Sequence, residues 1–410
     1  MRPLAFLLAL ALGSVASAAD PDAVDRGRVL FTQVWVPAAP HGAGGFGGLG
    51  PVFNDTSCIG CHVGTGRGGA PEGLDQHMRG MLVRLSLPGR DEQGGPLPVP
   101  AYGDQLNDHA IPGAAAEGRA VISWREMPVK LGDGTIISLR MPSLGFADLA
   151  YGTLGPEVLT SVRIAQPLAG TGLLENIPEA DILANAKSEG RGHANLVWNP
   201  VVGEISLGRF GWKANQPTLA VQIAAAALGD MGLTSVIFPD KNCRPVQSSC
   251  LAALRGPQPD LDARRLADLT AYVAAMEAPA RRNETDAKVT RGEAMFGALG
   301  CPGCHKTEWR ADGQTIHPYT DLLLHDMGPG LADGRPDFRA GPSEWRTAPL
   351  WGIGQALDLN PQAAFLHDGR ARSLIEAVLW HGGEAQAARD GVAALPATDR
   401  EALLAFLDSL

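Results

Sequence analysis

The sequence predicts a mainly α-helical fold with extensive loops, built as two similar units, the first carrying a large loop and β-hairpin insertion. Three observations carry this. The pentapeptide CIGCH at Cys58–His62 returns as CPGCH at Cys301–His305. The residues flanking the two copies match. The 51 glycines and 31 prolines leave much of the 410-residue chain to loops.

Taken in order, Met1-Arg2-Pro3 is a basic head and LAFLLALALGSV an apolar core too short to span a membrane. Ala16-Ser17-Ala18 is a small-residue cleavage site, so residues 1–18 read as an export signal. No later stretch is apolar enough for a membrane helix, so no integral membrane segment is expected in the mature chain. In a Gram-negative cell the product would be periplasmic. DRGRVLF (25–31) and TRGEAMF (290–296) both read as a helix with one apolar side and an aromatic at the same place. LADLTAYVAAM (266–276) has an apolar stripe at helical spacing, and EALLAFLDSL (401–410) repeats it. Each unit therefore runs leading helix, CxxCH, long loops, closing helix. Pro279 cannot continue the first closing helix, and ARRNETDAK after it is too polar to bury. This sets expected units at 19–285 and 286–410. The first holds the insertion, roughly residues 63–210, where RAVISWREM and GTIISLR flank Asp133-Gly134, a hairpin signal. Loops and short strands are expected in the rest of it.

The chemistry explains the pentapeptides. Cys-x-x-Cys-His is the c-type haem attachment pattern: two thiols bond the porphyrin's vinyl groups, and the histidine ligates the iron beneath the same ring. Two covalently bound haem c groups are expected, on Cys58, Cys61, His62 and Cys301, Cys304, His305. A redox dithiol would not need the histidine after each copy, and zinc ribbons space their CxxC words only about 15–20 residues apart. With haem, the order of elements is that of two cytochrome c-like domains. Cys243 and Cys250 remain, and in an oxidising compartment they are expected to form a disulfide. The formal net charge of −10 argues against nucleic acid and against an anionic membrane surface. It allows a small redox donor or acceptor protein as partner.

With these residues in view, the chain resembles the bacterial di-haem oxidoreductases and, more distantly, the di-haem cytochrome c peroxidases and MauG-type enzymes. FNDTSCIGCH (53–62), GRFGWKANQPTL (208–219), GDMGLTS (229–235), YTDLLLHDMGPGLAD (319–333) and FLHDGRARSLIEAVLWHGGEA (365–385) carry the resemblance. It implies electron transfer, with hydrogen peroxide as a candidate substrate.

Sixth ligands decide what each haem can do. In the relatives an HxG word precedes the distal ligand, and here His367-Asp368-Gly369 leads to His381 at that place. His381 is thus the expected second ligand of the C-terminal iron, with His325 and Met327 as competitors. A bis-histidine haem is lower in potential than a His/Met one, a departure from the peroxidase pattern. For the N-terminal haem, Phe210 stands where some peroxidases carry a distal histidine. His41, His77, His109, His193 and Met231 are the remaining candidates, so an open or weakly ligated iron is expected. Arg209, Gln216 and Glu175 are the candidate polar groups over it, and Trp212 a candidate link between the haems. The reading is a periplasmic di-haem oxidoreductase, with peroxide reduction at the N-terminal haem. The alternatives are an electron carrier or redox sensor without a substrate of its own.

Overall fold

The computed structural model describes residues 20–38, 47–71, 77–189, 191–253, 256 and 258–410. The predicted export signal and His41 lie outside them. Among the described residues no helix is long and apolar enough to cross a membrane.

The expected mainly α architecture is corrected. Helix accounts for 31% and strand for 22%, with the strands in several small sheets, so the fold is mixed and two cytochrome c-like domains do not describe it. The strands come chiefly from the insertion. Arg119–Lys130 and Ile136–Ala147 form a long antiparallel hairpin over the Asp133-Gly134 turn. Met81–Arg90 pairs with Pro96–Leu97 and Leu159–Ile164 on its two sides. The insertion also holds the helices Thr171–Glu175 and Glu179–Glu189.

The repeat read in the sequence is real in three dimensions. The leading helices are Pro21–Thr32 and Ala287–Ala298, and the closing helices are Ala263–Ala274 and Ala397–Ser409. Asp20, Asp262 and Asp286 cap the first three by accepting backbone N–H bonds that the helix start leaves unpaired. Each leading helix packs on its closing helix at a glycine. A Cβ on Gly27 would lie 2.0 Å from the Asp268 carbonyl oxygen, and one on Gly292 would lie 1.9 Å from that of Ala402. The arginine before each glycine pairs with the closing helix, Arg26 with Asp268 and Arg291 with Asp399. Gly292→Ala is therefore expected to force the second pair apart and destabilise the protein by about 1–3 kcal/mol, the cost of overpacking. Gly297→Ala, on the same helix with nothing near the added methyl, is expected to be neutral or to gain up to about 1 kcal/mol. Denaturant midpoints of the two variants make the comparison.

The two halves of the chain share their cores. Leu30, Phe31, Leu219 and Val273 pack in one cluster with Trp309, Ile316 and Leu323 from beyond the second pentapeptide. Met81, Val83, Ile122 and Trp212 pack in another with Trp345, Phe365 and Trp380. Backbone bonds tie the insertion across as well: Ile164 N–H donates to the His367 carbonyl (2.7 Å), and His193 and Leu324 exchange bonds of 2.9 and 2.8 Å. Cys243 and Cys250 are disulfide-bonded, with Cα atoms 5.7 Å apart.

Candidate functional site

Both pentapeptides fold into a tight turn that brings their two sulfurs and the imidazole to one cavity. The His62 N–H donates to the Cys58 carbonyl at 3.0 Å, and the His305 N–H to the Cys301 carbonyl at 2.9 Å. Ser57 caps the first turn by accepting from Gly60 N–H at 3.1 Å. Gly60 has to be small, since a Cβ there would meet the Asp55 carboxylate at 2.4 Å. Gly300, at φ 77°, ends the second leading helix and starts the second turn. Phe31 and Phe296, the aromatics matched in the repeat, sit against the two histidines at centroid distances of 6.4 and 6.3 Å.

The four cysteines of the turns are unbridged. Burial pushes the Cys58 thiol up to about 12 and the Cys301 thiol up to about 11. A redox dithiol needs the opposite, a thiol whose pKa is depressed.

The C-terminal turn opens on a cavity of about 420 Å³. His305 and His381 both line it, with ring centroids 6.5 Å apart. Two imidazoles this close, lining one cavity, could both ligate one metal ion held there. Each Nδ1 is held by a backbone carbonyl, His305 by Tyr319 (2.9 Å) and His381 by Ala377 (2.8 Å). That bond selects the tautomer whose Nε2 carries the lone pair. Burial pushes His305 down to about 4 and lowers His381 too, so both are neutral at pH 7.

His325 lines the same cavity but both its nitrogens are taken. Nε2 lies 2.8 Å from Asp321 Oδ2, and Nδ1 lies 2.9 Å from Glu384 Oε2. Burial opposes its charge, but Asp321 and the Cys304 sulfur more than offset this and raise its pKa to about 11. His367 stacks on Trp345 at 3.7 Å, and Met327 also lines the cavity.

The N-terminal turn opens on a cavity of about 200 Å³, walled by Phe31, Ile164, Phe210, Leu219, Ile223 and Val273. His62 is the one histidine among its described lining residues, and its buried Nδ1 is in hydrogen-bonding geometry with none of the described residues. Burial pushes its pKa down to about 4. Met231, Asn215, Gln216 and Gln222 line the cavity as well. Trp212 lines both cavities and donates from Nε1 to the Ile164 carbonyl at 2.8 Å.

The other sequence-derived candidates lie elsewhere. Arg209 donates to the Leu174 and Ile177 carbonyls, and Glu175 accepts from Leu219 N–H at 2.7 Å. Neither lines either cavity. His193 pairs with Glu344 at 2.8 Å, while His77 and His109 flank Asp108. Sequence reasoning missed Arg67 and Arg346, which line the C-terminal cavity. Both are buried, which pushes each down to about 10, and neither has a carboxylate in contact among the described residues. A buried cation with no carboxylate in contact is costly, so Arg67, with no opposing charge near it among the described residues, and Arg346, with only the charge of Asp321 nearby, point to an anionic group in the cavity. Apolar walls, buried guanidiniums, two thiols and a histidine at each mouth fit an amphiphilic macrocycle with carboxylate arms. No local pattern in the sequence marks either arginine.

The family described as "Di-haem oxidoreductase, putative peroxidase" matches residues 25–410. No curated protein sequence matches. Among solved structures, hydrazine synthase of Kuenenia stuttgartiensis is similar at 15% identity and a TM-score of 0.35, over 61% of this chain and 73% of that one. A MauG-like protein associated with microbial copper homeostasis is similar at 16% identity and a TM-score of 0.34, over 65% and 78%.

Proposed function

From the premise that the chain belongs to the di-haem oxidoreductase family, whose cofactor is haem, we propose an exported, periplasmic protein that holds two covalent haem c groups with unequal roles. In this reading the C-terminal site, with His305 and His381, would hold the haem that passes electrons on from a small redox protein. The N-terminal one is the reactive centre, with hydrogen peroxide as its substrate. Haem iron supplies one-electron chemistry and, where a coordination position is open, a place for peroxide.

The observation that carries this reading is the asymmetry of the cavities. At the C-terminal site His305 and His381 face each other with both Nδ1 atoms held, so two strong ligands are available there. At the N-terminal site His62 has no imidazole opposite it among the described lining residues. Cys58 and Cys61 attach the first group, and Cys301 and Cys304 the second. Arg67 and Arg346 hold carboxylate arms in the C-terminal cavity. Gln216 can orient a bound ligand through its amide, while Arg209 and Glu175 position the surrounding backbone. Trp212, shared by both cavities, stands between the two centres.

Met231 favours a second reading. It lines the N-terminal cavity, and as a ligand there it would make both irons six-coordinate and the protein an electron carrier. EPR of the purified oxidised protein separates the two. A high-spin signal beside a low-spin one is expected, together with peroxide-dependent oxidation of a reduced small cytochrome. Two low-spin centres and no turnover would establish the carrier.

A further inference from the structure

Outside both cavities, three side chains that can ligate a metal converge on the surface beside the first pentapeptide. His77, Asp108 and His109 each offer one ligand atom, and these atoms all lie within 4.8 Å of one another. His77 Nδ1 is 3.3 Å from Asp108 Oδ2, and His109 Nδ1 is 2.9 Å from Asp108 Oδ1. The two imidazole rings lie 4.3 Å apart, centre to centre.

The support behind these groups is unlike that of a casual surface contact. The Asp108 side chain is only 5% exposed, and it faces no lysine or arginine within ion-pair distance among the described residues. Asn54 Nδ2 donates to Asp108 Oδ1 at 3.0 Å and to the Leu106 carbonyl at 2.9 Å, which orients the carboxylate. His109 is fixed by strand pairing, since Phe53 and His109 are register partners, and the Phe53 ring stacks on it at 5.6 Å. His77 is more than half exposed and leaves a way in. A held carboxylate, one braced imidazole and one exposed imidazole make a partly preorganised three-ligand set open to solvent on one side.

We infer that His77, Asp108 and His109 form a binding site for one divalent transition cation. Two imidazoles and one carboxylate suit zinc or copper(II) and are a poor set for calcium, which takes six to eight oxygens. Asn54, which bonds Asp108, also lines the N-terminal cavity, so the proposed cation lies one side chain away from it.

Isothermal titration of the haem-loaded, chelator-treated protein with zinc alone tests this. One zinc per chain is expected, with no binding of calcium under the same conditions. His77→Ala and His109→Ala should each weaken zinc by at least about tenfold, whereas His193→Ala, a surface histidine paired elsewhere, should leave it unchanged. No zinc bound, or zinc bound equally by all four proteins, would overturn the site. His77→Ala keeps the test decisive if His109→Ala misfolds, because the His77 side chain is exposed and can be removed without opening the core.

Discussion

His381→Ala is expected to convert the C-terminal centre from low-spin to high-spin while leaving the other centre unchanged, so that the high-spin signal of the oxidised protein about doubles. The imidazole is buried, neutral and held through Nδ1 by the Ala377 carbonyl, which leaves Nε2 as its ligating atom. Alanine removes that atom without touching the carbonyl that held it, and water enters the position. His381→Met keeps two ligands and is expected to raise the potential of one centre, since methionine raises it relative to imidazole. Potentiometry followed in the visible spectrum would read both variants. An unchanged spectrum in His381→Ala would move the ligand to Met327, because neither nitrogen of His325 is free to bind a metal.

Replacing Cys58 and Cys61 together by serine is expected to halve the covalent haem. Haem staining of the denatured chain and its intact mass would measure this. The same variant should lose the high-spin signal and peroxide turnover while keeping the low-spin centre. The two experiments therefore push the spectrum in opposite directions, one adding an open centre and the other removing it. Retention of two covalent haems after the double replacement would exclude the CIGCH turn as an attachment site. Retention of turnover with only one haem would place the reactive centre in the C-terminal half.

Much of the candidate site was legible because the c-type haem pattern is written at short fixed spacing. Cys58, Cys61 and His62 lie within one turn of chain, and so do Cys301, Cys304 and His305. The repeat was legible for a related reason: a helix writes its apolar face at 3.6-residue intervals, and Gly27 and Gly292 hold the same place in it. The same bias produced the error in fold class. Helical periodicity is local, whereas Met81–Arg90 pairs with Leu159–Ile164 across some seventy residues, and nothing in either segment alone names its partner. Strand content depends on such packing more than helix content does.

By itself the sequence determined the two CxxCH turns, the Cys243–Cys250 pairing partners, the hairpin over Asp133-Gly134 and the duplication of the leading and closing helices. All are contacts between residues close in sequence or copies of one pattern. The tertiary structure decided among the ligand candidates, placing His381 across the cavity from His305 while Asp321 and Glu384 saturate His325, and it alone decided that Arg67 and Arg346 sit buried with no carboxylate in contact among the described residues and that Trp212 borders both cavities. Each of these depends on chain segments far apart in sequence being driven together by shared cores, and on which polar groups are then left paired or unpaired away from water. That outcome belongs to the packing of the whole chain, and no window of sequence contains it.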